Sequence, residues 1–389
     1  MITEISEGQS KRGNTCSADV VIVGGGPAGL AAAIALRQTG ADVLLIDAQE
    51  PGIDKACGEG LMPDSLLELS RLGIDLAKVE GAPFGGIRFA DRDSTVSSAF
   101  TTGEGMGVRR LALHRQLLER ATTMGVRMRW KTRVELTPGK KPSIEGEALC
   151  CKYLIGADGE SSRTRSWAGL NNGAVRSRRF GFRAHFELPT DGNVGMSQVE
   201  VHWGDGGQAY VTPVGERTVC VAVISRSQLP TTFNAVIDSI PALRELLSRA
   251  KQLTPQRGAV TMTSSFHRVT RGNVALVGDA SGSADAITGE GLAMGFRQAL
   301  LLRDSIAEGG LELYQAQHAD ILRLPQQMAR VMLLMDRHPR LRKRTLRALA
   351  ARPDLFAAML RVHLNEERLP HVVLRHGVRF GRLLLFSAG

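Results

Sequence analysis

The sequence predicts an α/β fold in which a discontinuous Rossmann-like domain carries an inserted antiparallel β-sheet and is followed by a helical region. Three observations predict it. A valine-rich strand, a glycine turn, a helix and a second strand follow one another in residues 18–47. Short β-like runs broken by Gly and Pro fill residues 180–270, and a buried-strand pattern returns at 273–279. Because the first pattern resumes after the β-rich block, the α/β domain is predicted to be interrupted.

The first element is a glycine turn between a buried strand and a helix. The helix is predicted over residues 27–39, and the next strand, 42–47, ends on Asp47. The glycines with G-x-G-x-x-G spacing are Gly24, Gly26 and Gly29. In such a unit the helix N-terminus binds a pyrophosphate and the acid binds a ribose hydroxyl. We therefore predict a dinucleotide site here, and a glycine turn without a ligand is the weaker interpretation.

The elements that follow alternate between helices and strands. A glycine-rich loop at residues 55–60 leads into a predicted helix, and a later helix carries Arg109 and Arg110 at its start. The predicted helices are 63–72, 108–125 and 291–308, and the predicted strands are 80–100 in short pieces, 126–136, 153–159, 199–203, 209–214, 218–225 and 273–279.

These elements group into domains. A flexible tail is predicted at 1–17, and a Rossmann-like domain in three pieces, 18–78, 106–175 and 268–310. An inserted sheet is predicted in two pieces, 79–105 and 176–267, and a basic helical region at 311–389.

Composition is that of an ordinary globular enzyme. Hydrophobic residues make up 43% of the chain, and no apolar run reaches the roughly 18 residues that a membrane span needs. The first 17 residues lack the apolar segment of a secretory signal, so cytoplasmic residence is the default expectation. The five cysteines have neither a disulfide framework nor metal-ligand spacing, so we expect free thiols and no metal; they are Cys16, Cys57, Cys150, Cys151 and Cys220.

Positive charge is concentrated at the C-terminus. Residues 331–389 hold 12 Lys and Arg against 4 acidic residues, so they account for +8 of the net charge of +10. A solvated helical cap, a peripheral contact with an anionic membrane surface and a nucleic-acid contact are three interpretations. The region has no recognition helix and no interleaved aromatic residues, so we expect no nucleic-acid partner.

Three separated motifs resemble one family. The glycine turn at residues 24–29 is the first; Asp158, Gly159, Ser162 and Arg165, in D-G-x-x-S-x-x-R spacing, form the second; Gly278-Asp279 followed by residues 285–291 is the third. Together they resemble the flavoprotein superfamily of aromatic hydroxylases (p-hydroxybenzoate hydroxylase-like), geranylgeranyl reductases and flavin-dependent halogenases. The resemblance implies FAD as cofactor.

The resemblance also implies roles for individual residues. Asp47 would bind the adenosine ribose, Asp279 the ribityl hydroxyls, and Arg110 the pyrophosphate, with Arg109 as the alternative. Backbone N–H groups at Gly289 and Gly291 would approach the flavin pyrimidine edge. The full set of cofactor candidates is Gly24, Gly26, Ala28, Gly29, Asp47, Arg110, Asp158, Gly278, Asp279, Gly289, Gly291 and Leu292.

The resemblance implies the reaction less closely than the cofactor, because the same scaffold hosts several chemistries. No second glycine motif with strand context occurs, so NADPH or NADH is expected as a transient electron donor. We favour an NAD(P)H-dependent monooxygenase acting on a lipophilic aromatic or polyketide-like substrate. A geranylgeranyl reductase-like enzyme that saturates an isoprenoid or enone double bond is the alternative, and a non-catalytic lipid-binding escort is a remote one. Halogenation is disfavoured, since the family's W-x-W-x-I-P segment is absent.

Two side chains are candidates for the chemistry. Cys57 lies in a loop similar to the cysteine-glycine loop of geranylgeranyl reductases, and its thiol would serve as a proton donor or adjust the reactivity of the flavin. Tyr210 lies on a substrate-sheet strand and would line the pocket, hydrogen-bond a substrate or, in a reduction, donate the proton. A packed small residue and plain sheet packing are the respective alternatives. His202 and Trp203 are weaker candidates of the same kind.

Overall fold

The computed structural model describes residues 17–189, 196–226 and 232–386. The predicted tail therefore lies outside the described residues, as does Cys16, except that Ser17 already begins the first strand.

A mostly parallel sheet forms the centre of the first unit. Its strands are β1 (Ser17–Val23), β2 (Val43–Ile46), β8 (Arg127–Arg129), β11 (Cys150–Gly156), β18 (Thr270–Arg271) and β19 (Val274–Leu276). Their order is β18-β19-β11-β1-β2-β8, and the β18–β19 pair is antiparallel. The apolar runs of β1 and β2 are buried on both faces, as expected for parallel strands covered by helices. Because β19 pairs with β11, the sheet is completed only by residues that follow the β-rich block.

Helices cover this sheet. Helix α1 (Pro27–Arg37) is buried along nearly its whole length because it packs between the sheet and helices α3 (Arg110–Thr123) and α7 (Gly291–Ala307). Its run of alanines allows this close approach on every side. The remaining helices of this half are α2 (Pro63–Arg71) and α4 (Arg163–Trp167).

The β-rich block forms a second, mainly antiparallel sheet. Its strands are β5 (Gly86–Ala90), β6 (Thr95–Ala99), β12 (Gly173–Glu187), β13 (Val199–Trp203), β14 (Gly207–Pro213), β15 (Thr218–Ser225), β16 (Lys251–Gln252), β17 (Arg257–Phe266) and β20 (Gly282–Ser283). One pair, β13 with β5, is parallel and joins the segment before residue 100 to the main block. Helices α5 (Phe233–Asp238) and α6 (Pro241–Ser248) cover one end of the sheet.

Two small sheets complete the strands. One comprises β3 (Gly60–Leu61), β4 (Gly81–Phe84) and β7 (Gly105–Val108); the other comprises β9 (Ser143–Ile144) and β10 (Glu147–Ala148).

The strand predicted over 126–136 is wrong beyond its first residues. Strand β8 ends at Arg129, because Lys131 adopts a left-handed conformation with φ of 56°. The chain then turns so that the Thr132 N–H donates to the Asp47 carbonyl at 2.9 Å. Thr132 lies on the cavity wall as a result.

The C-terminal region is helical, as predicted. It comprises α8 (Glu312–Arg337), α9 (Pro339–Ala351), α10 (Pro353–His363) and α11 (Leu369–Phe386). An apolar cluster that includes Phe89, Trp203, Leu346 and Phe356 packs α9 and α10 against the end of the second sheet. In the described part of the chain, no helix combines the length and apolarity that a membrane crossing requires.

Candidate functional site

A cavity of about 560 Å³ lies between the parallel sheet and the face of the second sheet. This volume is in the range of ligand sites in proteins. Of the twelve cofactor candidates, Gly29 does not line it; the other eleven, together with Cys57 and Tyr210, do. The three motifs, which are far apart in the sequence, therefore meet at one site.

The glycine turn leaves open the space that a ligand needs. A Cβ on Gly24 would lie 2.4 Å from the Ala157 carbonyl oxygen, and one on Gly29 would lie 1.9 Å from the Gly24 carbonyl oxygen. These two glycines thus allow the turn itself. At Gly26, by contrast, a Cβ would meet no described atom within 4 Å, and Gly26 is the N-cap of α1 without a side-chain cap. The N-terminus of α1 therefore opens into the cavity, and the first backbone N–H groups of a helix have no partner within the helix itself.

Asp47 lies where the second strand ends, as predicted. Its carboxylate accepts hydrogen bonds from the Gly25 N–H at 2.6 Å and the Gln49 N–H at 2.7 Å. These bonds hold the carboxylate at the cavity edge, and each oxygen keeps a lone pair for a further donor.

Arg110 rather than Arg109 lines the cavity. Arg110 is the first residue of α3, and Arg109 is the N-cap of that helix. The Nε atom of Arg110 is buried and, among the described residues, has no hydrogen-bond partner. A buried cationic donor without a partner is suited to an anion.

Asp158 lines the cavity, but its carboxylate has a structural function. It accepts hydrogen bonds from the N–H groups of Arg163 at 2.8 Å and Thr164 at 2.9 Å, at the start of α4. Arg165 of the same motif donates to the Ala280 carbonyl at 2.9 Å and so ties this motif to the third one. The D-G-x-x-S-x-x-R motif thus shapes the cavity wall and is itself joined to the motif that begins at Gly278.

Gly278 and Asp279 form the opposite edge of the cavity. The Gly278 N–H donates to the Gln298 side chain at 2.6 Å, and φ of 63° at Gly278 explains the need for glycine. The Asp279 carboxylate lies 3.4 Å from the Lys55 ammonium group, and both side chains are partly exposed. A ribityl hydroxyl that donates a hydrogen bond to Asp279 would therefore share this carboxylate with the ammonium group of Lys55.

The loop before α7 is held from behind by buried polar groups. Asp285 accepts hydrogen bonds from the Arg179 guanidinium at 2.9 Å and from the Ile287 N–H at 3.1 Å. No described atom lies within 4 Å of the position a Cβ would take on Gly289 or Gly291. Their backbone can therefore be approached from the cavity, and α7 begins at Gly291.

Glu290, between these two glycines, points away from the cavity lining. Burial raises the pKa of its carboxyl, and His363 of α10 lies 3.9 Å away.

Tyr210 lines the cavity with its hydroxyl group already engaged. The hydroxyl donates to the Ile287 carbonyl at 2.7 Å, and burial raises the pKa of the phenol. This arrangement fits a residue that positions the 285–291 loop better than a proton donor.

Cys57 also lines the cavity, in a loop held by its neighbours. The Glu59 N–H lies 3.4 Å from Cys57 Sγ, and the Cys220 thiol donates to the Cys57 carbonyl at 3.5 Å. Cys57, Cys150, Cys151 and Cys220 are free thiols.

The two weaker candidates have structural surroundings. His202 is buried and lies 2.7 Å from the Glu200 carboxylate, and Trp203 packs edge-on against Phe89. Neither residue lines the cavity as the structure describes it.

Sequence reasoning missed the polar residues behind the cavity. His114 contacts the Gly25 carbonyl at 3.0 Å from the middle of α3, and burial lowers the pKa of its imidazole. Glu59 and His185 form a buried pair at 2.7 Å. Glu59 belongs to the glycine-rich loop that the sequence singled out, but its partner lies more than a hundred residues away, and no local pattern reveals such a pairing.

One cluster has the residue types of a metal site. Ligand atoms of Glu59, His185 and Cys220 lie within 4.8 Å of one another. Arg183 Nε lies 3.8 Å from Glu59, however, and burial raises the pKa of the Cys220 thiol well above its usual value. A nearby guanidinium and a protonated thiol both disfavour a cation, so we interpret the cluster as a hydrogen-bonded network.

The residues present fit FAD. The open N-terminus of α1 and the unpartnered Nε of Arg110 suit a diphosphate, and the space at Gly26, Gly289 and Gly291 allows close approach to the backbone. Asp47 and Asp279 lie at separate edges of the same cavity and suit hydroxyl groups of an extended ligand.

Comparison with known proteins agrees with this fit. The model of the family "FAD binding domain" matches residues 17–310. The menaquinone reductase of Mycobacterium tuberculosis is 29% identical over 313 residues, which cover 72% of this chain and 74% of that protein. The digeranylgeranylglycerophospholipid reductase of Methanocella arvoryzae is 29% identical over 296 residues, covering 70% of this chain and 73% of that protein.

The fold is also found among solved structures. A flavoprotein/dehydrogenase from Cytophaga hutchinsonii superimposes with a TM-score of 0.78 at 16% identity, over 96% of this chain and all of the other.

Proposed function

Because this chain belongs to the FAD binding domain family and is an FAD-dependent oxidoreductase, we propose that it saturates a carbon–carbon double bond of a lipophilic, isoprenoid-like substrate. The proposal reverses the order of the two reactions that the sequence suggests, in which monooxygenation stands first. Both reactions use the same cofactor and the same cavity, so the choice depends on the proton donor and on the substrate class.

The observation that carries the proposal is the composition of the cavity wall. Cys57 lines the same cavity as Gly289 and Gly291, where the family resemblance puts the flavin ring. The second sheet contributes the apolar side chains of Phe182, Ile224 and Val260 to the wall of the same cavity. Saturation of a double bond needs a proton donor beside an apolar surface, and a thiol on this wall supplies one.

The substrate class is supported by the relatives. The two relatives described above are named as reductases of menaquinone and of digeranylgeranylglycerophospholipid. Geranylgeranyl groups are long apolar chains with isolated double bonds, and an apolar sheet floor suits such a chain.

The chain's own residues would divide the work between binding and proton transfer. When bound and reduced, FAD would supply two electrons as a hydride to one carbon of the double bond. The Cys57 thiol donates its proton to the other carbon and regains a proton from water. Tyr210 and Asp285 hold the 285–291 loop in place, and the apolar floor excludes water from the reacting carbons.

Oxygen insertion is the second candidate. The apolar floor of Phe182, Ile224 and Val260 favours it as well, because that reaction also needs a dry site. It would make no use of the Cys57 thiol.

We also propose NADPH or NADH as the electron donor. The sequence holds no second glycine motif in a strand–helix context, so the donor would visit the flavin transiently. Such a donor would supply the two electrons and the hydride that the substrate receives.

Product mass and oxygen dependence test these proposals. The purified protein is supplied with NADPH or NADH and with a geranylgeranyl lipid, with and without oxygen. Anaerobic turnover to a product heavier by two hydrogen atoms supports saturation. A product heavier by one oxygen atom, formed only in air, would establish oxygen insertion instead. A protein that takes up FAD but turns over no lipid would point to a binding role.

Cys57→Ala is the matching variant. We expect it to lower the rate of saturation at least about tenfold, as for loss of a general acid, while the bound flavin spectrum stays unchanged. Cys151→Ala is the control, since Cys151 is partly buried in the parallel sheet and does not line the cavity. An undiminished rate for Cys57→Ala would remove the thiol from the proposed reaction.

We further propose a peripheral contact between the C-terminal helices and an anionic lipid surface. Arg340 and Arg344 are exposed one turn apart on α9. The neighbouring helices α8 and α11 expose the apolar side chains of Val331, Leu334, Leu369, Val373 and Leu374. Exposed cations beside exposed apolar side chains suit a membrane surface.

A further inference from the structure

Glu59 is an unusual residue behind the wall of the cavity, next in sequence to Gly58, which lines it. It is 2% exposed, and it holds a left-handed backbone conformation with φ of 60°, although it is not glycine. Such a conformation is strained for a residue other than glycine and persists only where the surroundings enforce it. The side chain supplies those constraints, because both of its oxygens are engaged.

One oxygen of Glu59 fixes the start of helix α3. Oε1 accepts the backbone N–H of Arg110 at 2.9 Å, and the Glu59 carbonyl accepts the Val108 N–H at 2.8 Å. The N-cap of this helix, Arg109, has no side-chain cap. Glu59 therefore caps α3 from a loop fifty residues earlier, and its negative charge lies at the positive end of the helix.

The other oxygen is held from the second sheet. Oε2 accepts from His185 Nε2 at 2.7 Å, and Arg183 lies 3.8 Å from Oε1. Burial by itself raises the pKa of Glu59, but His185, the Arg110 N–H and the Arg183 charge together outweigh it, so the pKa of the carboxyl lies below its usual value. Glu59 thus stays charged and connects β12 to the start of α3.

We propose that Glu59, held by His185, is a positioning residue that sets the direction of Arg110 for the diphosphate of FAD. Arg110 has its backbone N–H fixed by Glu59 and its buried Nε free of partners in the described structure. A guanidinium whose backbone is fixed loses less freedom when it binds an anion. The inference rests on the proposed FAD site, and it adds Glu59 to Arg110 as a residue that determines the affinity for FAD.

Titration of the flavin-free full chain with FAD tests the proposal. We expect Glu59→Ala to raise the Kd for FAD about tenfold or more, and Arg110→Ala to do the same. The double variant should be little weaker than Arg110→Ala alone, because Glu59 acts through Arg110. Glu59→Gln keeps an acceptor for the Arg110 N–H, so it should recover most of the affinity.

Riboflavin and a surface variant provide the controls. Riboflavin lacks the diphosphate, so its Kd should change less than about threefold in Glu59→Ala. Glu80→Gln removes an exposed ion pair with Arg115, which lies on α3 like Arg110. This variant should leave the affinities for FAD and for riboflavin unchanged.

Several results would overturn the proposal. Additive effects of Glu59→Ala and Arg110→Ala, or an equal loss for riboflavin and FAD, would show that Glu59 only maintains the loop. If Glu59→Ala does not fold, the cycle of His185→Ala and Arg110→Ala decides the question, because His185 holds the other oxygen of Glu59. A wild-type chain that takes up no FAD at all would instead overturn the proposed function, and this inference with it.

Discussion

At the scale of single residues, two glycines of the first turn are expected to respond differently to substitution. In Gly29→Ala the new Cβ would lie 1.9 Å from the Gly24 carbonyl oxygen, so the turn itself must shift. We expect this variant to lose about 1–3 kcal/mol of unfolding free energy even without flavin.

Gly26→Ala should leave stability intact and abolish binding. Its Cβ would meet no described atom within 4 Å and would occupy the space over the N-terminus of α1. Urea unfolding of both variants without flavin, with FAD titration, separates the two effects. Normal FAD affinity in Gly26→Ala would show that the diphosphate does not lie at this helix.

Tyr210 offers a second comparison at this scale. Tyr210→Phe removes the donor to the buried Ile287 carbonyl, and we expect a loss of about 1–3 kcal/mol in unfolding free energy. Because burial raises the pKa of this phenol, it stays protonated at neutral pH, and the pH profile of turnover should keep its shape.

Tyr153→Phe is the matched control for this substitution, since its hydroxyl makes a longer, exposed bond of 3.3 Å to Gly309. A pH profile that loses a limb in Tyr210→Phe would restore Tyr210 as a proton donor.

At the same scale, sequence reasoning placed residues well where a local motif defines their role. Asp47, Gly278 and Gly289 lie on the cavity because strand ends and glycine turns determine their position. It did not anticipate that Asp158 caps α4. Nor could it identify the Glu59–His185 pair, which depends on tertiary packing between two domains.

At the scale of secondary-structure elements, His318 links α8 to the third motif. Its Nε2 lies 2.9 Å from the Ser281 hydroxyl and 3.3 Å from the Gln298 side chain of α7. Burial lowers the pKa of this imidazole from 6.5 to about 4. The folded protein therefore holds His318 neutral in a pH range where the unfolded chain protonates it.

This linkage has a definite sign. The contribution of His318 to the free energy of unfolding is fully present above pH 6.5. It is lost as the pH falls from 6.5 toward 4, because the unfolded chain then binds a proton that the folded chain does not. The loss amounts to about 3 kcal/mol.

His318→Gln should remove that part of the pH dependence. Urea unfolding of both proteins at pH 7.5, 6 and 4.5, without flavin, measures the difference. Parallel curves for the two proteins would show that His318 does not titrate as its burial requires.

The elements themselves were predicted well where periodicity is strong. The strands β13, β14 and β15 agree with the predicted ones to within two residues. The length predicted for the strand after residue 126 was wrong, because Lys131 adopts a left-handed backbone conformation that the sequence would indicate only at a glycine. The parallel β13–β5 pair was also missed, since strand pairing across a hundred residues is not encoded locally.

At the scale of the whole molecule, the C-terminal helices are expected to determine binding to lipid surfaces. We expect the wild-type chain to co-sediment with anionic phosphatidylserine vesicles and not with neutral phosphatidylcholine vesicles. Reversing two charges in Arg340→Glu/Arg344→Glu should weaken binding more than tenfold, at about 1 kcal/mol for each charge removed.

Lys78→Glu is the control, because Lys78 is a similarly exposed cation on the other half of the chain. Equal binding of the double variant and the wild-type chain would leave the basic region as a solvated cap.

The packing of helix α1 also determines when this part of the chain can fold during synthesis. Residues 27–37 leave the ribosome early, yet part of their covering surface is α7, at residues 291–307. At about 5–20 residues per second, that wait lasts roughly 10–50 s. During this interval the alanine- and leucine-rich helix α1 lacks the part of its covering that α7 provides. Fragments that stop short of α7 should accordingly accumulate as aggregates rather than as smaller folded units.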